Sequence, residues 1–365
     1  MKKLENKIER KYFTTSDGRK INLVPNWYGL KTAWPYGIDN LKEWSEHIYT
    51  GTPTHPTGYI FFVNKLTMFN YFYEMINEHF VDTPKKWKRC LDIGTGLGFQ
   101  PRLMKAVGMC EEAWGLDILD RSGEMSNELM ANSITDFKKD MYDLSSTMSN
   151  RVIKVVANRS IDMCIDYPVS APYILTDKSD YSLDKYVVSD FMKWKPGNVK
   201  FDIITAIFVI DFFNISDMFE KLYSLLNPGG IFFVIAGNWY DVFGASMNLP
   251  MDSPWLHSRL SREDLIRYYY EVRPEIAPYA EKCIYFVDSH LSPIDYAIKA
   301  SEKGMKMITY RRSKSAVQDL VLPSTTGTGA TVLYSEVVPE AKIINPNVSA
   351  PDLFAYYYTM IFRKD

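Results

Sequence analysis

The sequence is poor in the residues that build metal and disulfide frameworks. Four cysteines, Cys90, Cys110, Cys164 and Cys283, stand far apart without a C-x-x-C pair, and there are only five histidines among 365 residues. Such spacing offers neither a zinc-ligand set nor a disulfide scaffold, so no metal is expected. An excess of one charge is also missing, since 42 Lys and Arg against 44 Asp and Glu leave a net charge of -2. A nucleic-acid binder ordinarily carries a basic surplus, and the balance argues against that partner. Long apolar runs are absent too: the longest, around 203–210 and 231–236, fall well short of the roughly twenty residues of a spanning helix. The charged start MKKLENKIERKYF has no apolar segment of a signal peptide. Together these absences predict a soluble cytoplasmic protein with no membrane span. Aromatic residues, by contrast, are plentiful, with 25 Tyr, 20 Phe and 8 Trp. The length suits two domains or one large elaborated domain, and either buries enough core to stand without covalent staples.

Residues 1–85 are rich in Trp, Tyr and Pro and read as an N-terminal cap or substrate region. Within them Leu66, Phe69, Phe72, Tyr73 and Ile76 recur at three- and four-residue spacing, predicting a helix near 64–80 whose aromatic stripe packs on a core. From residue 89 short apolar runs alternate with helical segments, the pattern of a parallel α/β sheet. Strands are expected at Arg89–Ile93, Ala113–Asp117, Tyr186–Ser189, Phe201–Ile207 and Ile231–Ala236. Asn227-Pro228-Gly229-Gly230 reads as a turn that stops a helix over about 216–226. Ser261, with Asp264 three residues on, predicts a helix start, and another helix should run from Pro293 to Lys303. The polar stretch 121–184 is too long for a loop inside an α/β domain and reads as an insertion, as do 238–260 and 315–352. The main domain is therefore placed at 86–365.

The chemistry-bearing stretch is Leu91-Asp92-Ile93-Gly94-Thr95-Gly96-Leu97-Gly98. A strand that ends in glycines and runs into a helix lets a ligand approach the backbone near the helix N-terminus. The spacing is G-x-G-x-G, not the G-x-G-x-x-G of dinucleotide sites. Asp92, two residues before the first glycine, suits a cationic ammonium or sulfonium better than a phosphate. Asp117 closes the next strand, where an acid can bind both hydroxyls of a ribose; capping of a following helix is the structural alternative. With these residues the chain resembles the class I S-adenosylmethionine-dependent methyltransferases. The resemblance extends to Val188-Ser189-Asp190-Phe191, to Phe201 through Ile210, to Leu226-Asn227-Pro228-Gly229-Gly230 before IFFVIAG, and to the final MKMITYRR and YYYTMIFRK segments. It implies a seven-stranded Rossmann-like sheet, mostly parallel with an antiparallel last strand, and S-adenosylmethionine as cofactor. By position in the motifs it implies cofactor contacts from Asp92, Gly94, Thr95, Gly96, Gly98, Asp117, Ile118, Asp190, Phe191 and Ile207. No catalytic role carries over to Asp211-Phe212-Phe213, which stand where many members have an acid-His or His-His pair.

Methyl transfer to a hydroxyl is helped by a base with a pKa near neutrality, which among side chains is histidine. His257, in the loop after the fifth strand of the sheet, and His290, just before a predicted helix, are the candidates; capping and core packing compete at both. The cysteines are expected to be inert, Cys90 through burial in its strand. The Asn-Pro-Pro-Tyr and Pro-Cys signatures of nucleic-acid methylating enzymes are absent. The aromatic loops favour a small-molecule or glycan acceptor methylated at oxygen or nitrogen. A nicotinamide-dependent oxidoreductase and a non-catalytic adenosyl-binding protein are the alternatives.

Overall fold

Apolar runs bounded by glycine or charged residues become strands along the chain: β1 Lys11–Thr14, β2 Lys20–Leu23, β3 Trp87–Ile93, β4 Cys110–Asp117, β5 Lys185–Val188, β6 Phe201–Ile207, β7 Leu226–Gly237, β8 Met305–Arg312 and β9 Tyr357–Lys364. Helices include α1 Tyr59–His79, α2 Phe99–Ala106, α3 Ile215–Leu225, α4 Leu256–Arg259, α5 Arg262–Val272, α6 Ala277–Phe286, α7 Pro293–Glu302 and α8 Tyr334–Ile344. The computed structural model describes residues 11–23, 59–80, 86–136, 175–176, 178–241, 249, 251–286, 290–313 and 334–365. The body of the 121–184 insertion, including the VIKVVA segment, lies outside the described residues, as do 24–58 and the PSTTGTGAT stretch.

β3 to β9 form one sheet in the order β5-β4-β3-β6-β7-β9-β8. β5, β4, β3, β6 and β7 are parallel, and β9 runs antiparallel to both β7 and β8. This is the mostly parallel seven-stranded sheet with an antiparallel last strand that the sequence predicts. The central strands are apolar on both faces because helices cover both. On one face α1 and α2 bury Leu66, Phe69, Phe72 and Leu103 with Phe233, Phe72 meeting Phe233 edge-on at 4.8 Å. On the other, Phe219 and Leu222 of α3 and Tyr296 of α7 pack on Ile204, Phe232 and Phe362. The aromatic stripe of α1 is thus core. Helix starts follow the sequence: the Ser261 side chain caps α5 by accepting from Asp264 N–H, and Ser292 and Asp295 form a capping box for α7.

One expected turn is absorbed into a strand. Asn227-Pro228-Gly229-Gly230 lies within β7, whose Leu226 pairs with Phe201 before the register shifts and Ile231 pairs with Ile203. Gly229 takes φ 73°, which only glycine adopts readily, so the irregularity is accommodated there without ending the ladder. A third core is assembled from Phe13 and Ile21 of the β1–β2 hairpin, Trp239, Trp255, Leu265, Tyr268, Val337 and Leu353. It begins immediately past the carboxyl end of β7, on the same side of the sheet as the glycine turn. Among the described residues no helix is long and apolar enough to cross a membrane.

The 121–184 insertion is held at both margins by one residue of α2. The Arg102 guanidinium donates to Asn127 Oδ1 at 2.8 Å and to the Met125 carbonyl at 3.1 Å before the insertion's body, and to the Tyr181 carbonyl at 2.8 Å after it. Lys105, one turn on, pairs with Asp184 at 2.7 Å.

Candidate functional site

β3 delivers its chain to a turn in which Gly94, Gly96 and Gly98 all have positive φ, at 66°, 54° and 76°. A Cβ on Gly94 would stand 2.7 Å from Val209 Cγ2, so glycine is required there for close approach as well as for conformation. Nothing lies within 4 Å of a Cβ position on Gly96, so the middle of the turn faces open space. Thr95 points back into the sheet, where Gly115 leaves room for it; a Cβ on Gly115 would meet Thr95 Cγ2 at 2.7 Å. The Gly94 and Thr95 N–H groups donate to the Leu116 carbonyl at 2.8 and 3.1 Å, tying the turn to β4.

Two carboxylates flank this turn. Asp92 is 4% exposed and accepts a 2.6 Å hydrogen bond from Thr205 Oγ1, the residue beside it in the β3–β6 register. Burial pushes its carboxyl up to about 6, against the opposing pull of the Thr205 hydroxyl and the Lys65 charge. Asp117 is half-buried; its Oδ2 accepts from Gly96 N–H at 2.8 Å and its Oδ1 from Leu119 N–H at 3.1 Å. The Tyr186 hydroxyl sits 2.8 Å from the Gly96 carbonyl and 2.9 Å from that of Leu119, and accepts from Arg121 N–H at 3.3 Å. Burial and the Asp117 charge push Tyr186 up to about 12, so it remains a donor. Neither Tyr186 nor Thr205 was legible as a site residue, although the lone hydroxyl of Thr205 in an apolar strand was a signal.

The remaining expected cofactor residues sit along the carboxyl ends of the strands. Ile118, next to Asp117, is an apolar side chain 67% exposed. Asp190 follows β5, its Oδ1 accepting from Met192 N–H at 2.9 Å. The Phe191 side chain calls for a correction. It is 2% exposed, edge-on to Phe213 at 5.8 Å and 4.9 Å beneath Lys221 Nζ, because an aromatic ring here completes the core under β5; only its backbone is left for a ligand. Ile207 ends β6, and Phe208 after it has φ 55°, a strained conformation for a bulky residue. The Phe208 ring meets Tyr357, at the start of β9, edge-on at 5.6 Å. The whole offers hydrogen bonds for a vicinal diol, an apolar surface for a planar ring and a buried carboxylate for a cationic end.

The two candidate histidines converge on Trp239, two residues past β7. The His290 ring lies 3.7 Å from the Trp239 ring and His257 is edge-on to it at 5.6 Å. His257 is completely buried. Its Nε2 lies 3.0 Å from Ser258 Oγ and its Nδ1 3.3 Å from Met251 Sδ. Burial lowers His257 to about 4 and His290 to about 3. The expectation that either is poised to titrate near neutrality is therefore corrected: both rings are held neutral in the third core. His290 Nε2 is buried and finds no hydrogen-bond partner among the described residues. Cys90 is buried beside Cys110, with Sγ atoms 3.1 Å apart, and burial raises its thiol well above the ordinary range, as expected of an inert cysteine.

A family profile described as a methyltransferase domain matches residues 68–273, more than half of the chain. No curated protein matches by sequence. Solved structures of similar fold include an S-adenosylmethionine-dependent methyltransferase from Mesorhizobium loti, at 11% identity and TM-score 0.36 over 77% of this chain and 93% of that one. The N-methyltransferase NodS from Bradyrhizobium japonicum, solved with S-adenosylhomocysteine, gives 9% identity and TM-score 0.33 over 81% and 86%. The plantazolicin methyltransferase BpumL, also solved with S-adenosylhomocysteine, gives 12% and 0.35 over 91% and 93%.

Proposed function

The chain belongs to the methyltransferase-domain family, and from that premise we propose that it transfers the methyl group of S-adenosylmethionine to a small-molecule or sugar-containing acceptor, at oxygen or nitrogen, in the cytoplasm. The observation that carries the site assignment is the open glycine turn with a carboxylate on each flank, Asp92 buried and Asp117 hydrogen-bonded to the turn itself. Asp117 takes the ribose hydroxyls on lone pairs that its two backbone donors leave free. Ile118 lies against the adenine, and Asp190 with the Phe191 backbone meets its edge. Gly94, Thr95, Gly96 and Gly98 give the ligand its close approach, Asp92 takes the ammonium, and Ile207 borders the methionine chain.

When bound, the cofactor supplies a methyl group activated by its sulfonium charge. The protein's part is to place the acceptor atom in line with that methyl. The low pKa values of His257 and His290 make both poor proton acceptors at neutral pH. Alignment with release of the proton to solvent is accordingly the favoured mechanism, and it suits an amine or an acidified hydroxyl. The Phe208 and Tyr357 rings, set edge-on to one another, and the 45% exposed Tyr356 supply aromatic surface for a ring or sugar face. The balanced charge supports an acceptor other than nucleic acid.

A methyl-transfer assay with labelled cofactor against amines, phenols, sugars and nucleic acids tests this reading. Transfer to a small molecule or glycan is expected. Transfer confined to nucleic acid would refute the acceptor class, and binding of NADH in preference to S-adenosylhomocysteine would refute the cofactor site.

A further inference from the structure

Lys65 sits on α1, which packs against α2, the helix that the glycine turn opens. The next residue, Leu66, is fully buried in the core that also holds Leu97 and Phe99 of that turn and helix. This packing fixes the α1 backbone beside the turn and leaves Lys65 half-buried at its margin. Its ammonium is close enough to Asp92 for each charge to act on the other, and it also feels Arg121. Burial pulls the Lys65 ammonium down and pushes the Asp92 carboxyl up; the Asp92 charge opposes the first shift, and the Thr205 hydroxyl together with the Lys65 charge opposes the second.

The methionine end of the cofactor is a zwitterion. Asp92 answers its ammonium, but a carboxylate carried into a buried cleft needs a cation of its own. We propose that Lys65 binds the cofactor's carboxylate, so that α1, outside the glycine-turn motifs, supplies one wall of the amino-acid subsite. Asp92, the ligand ammonium, the ligand carboxylate and Lys65 then alternate in sign. Without ligand, Lys65 helps to balance Asp92 in its place. The inference rests on the cofactor assignment.

The test is calorimetric binding to the full chain of S-adenosylhomocysteine and of 5′-methylthioadenosine, which lacks the amino-acid end. Lys65→Met should weaken S-adenosylhomocysteine by about 10- to 100-fold, the loss of one charge-assisted contact. It should leave methylthioadenosine within about 2-fold, and Lys65→Arg should restore most of the affinity. If Lys65→Met fails to fold, Lys65→Gln is measured in the same way. Unchanged affinity for S-adenosylhomocysteine, or an equal loss for both ligands, overturns the proposal. Failure of the unaltered chain to bind either ligand would instead overturn the cofactor site itself.

Discussion

Replacing Asp117 by Ala removes two things at once, and the structure allows them to be separated. In the ligand-free site the carboxylate accepts from Gly96 and Leu119 N–H at 2.8 and 3.1 Å, so it shapes the turn before any ligand arrives. Its proposed second task is to accept from the ribose hydroxyls. A hydrogen bond to a charged acceptor contributes about 1.5–3 kcal/mol, and water entering the half-exposed site offsets part of that. The affinity for S-adenosylhomocysteine should therefore fall by about 1–3 kcal/mol, roughly 5- to 150-fold in Kd. The loosened turn should lower unfolding stability by about 1–2 kcal/mol. Titration calorimetry and thermal melting measure the two effects independently. A ligand analogue without ribose hydroxyls isolates the first, since Asp117→Ala should cost it far less affinity than it costs S-adenosylhomocysteine. A folded Asp117→Ala protein with unchanged affinity for S-adenosylhomocysteine would refute the ribose role. An equal loss for both ligands would reduce Asp117 to a support for the turn.

Three further outcomes are expected. Asp92 titrates near 6 when folded and near 3.9 when unfolded; the folded state holds that proton more tightly, so its contribution to stability falls as pH rises from about 4 through 6. Asp92→Asn should consequently exceed the unaltered protein in urea stability by up to about 2–3 kcal/mol at pH 8, lose that advantage by pH 4, and bind S-adenosylhomocysteine more weakly; equal stability at both pH values would contradict the burial argument. Gly94 and Gly96 both hold positive φ, so alanine strains the backbone at either, but only Gly94→Ala also meets Val209 at 2.7 Å; circular-dichroism melting should show the larger destabilisation for Gly94→Ala, while Gly96→Ala, facing open space, also weakens ligand binding. His257→Ala should lower stability by about 2–4 kcal/mol through the cavity it leaves, and the pH–rate profile should show no limb near 6.5 that either His257→Ala or His290→Ala abolishes.

The parts of the fold that sequence reveals are those whose signals are local. β3, β4, β6 and β7 carry apolar runs, and Ser261 announces its helix through a side chain three residues from its partner, as Pro293 does the next from its first turn. The positions of Gly94, Asp92 and Asp117 relative to one another follow from one strand-turn-helix unit and the strand beside it. Contacts made across the chain are different. Thr205 reaches Asp92 only because β6 pairs with β3 in that register, and a one-residue slip would turn its hydroxyl to the other face. The third core draws Phe13, Leu265, Val337 and Leu353 from separate stretches, none of which carries a pattern naming the others. His257 shows the same limit: a histidine among Trp, Leu and Ser reads alike whether it faces a substrate or, as here, Met251 and Trp239. Lys65 was hidden for the same reason, since nothing in α1's own sequence says which strand end it approaches.

Arg102 gathers Met125, Asn127 and Tyr181 around a single guanidinium, so the chain departs for its insertion and returns from it at nearly one point. A segment anchored in this way can change length or be exchanged without altering the separation of β4 and β5 that the sheet demands. Lengthening such a loop is thermodynamically mild, about 0.6 kcal/mol for each doubling. The site thus behaves as a socket. Chimeras that graft a different segment between residues 127 and 181 should keep the sheet and its glycine turn intact, and with them the binding of S-adenosylhomocysteine.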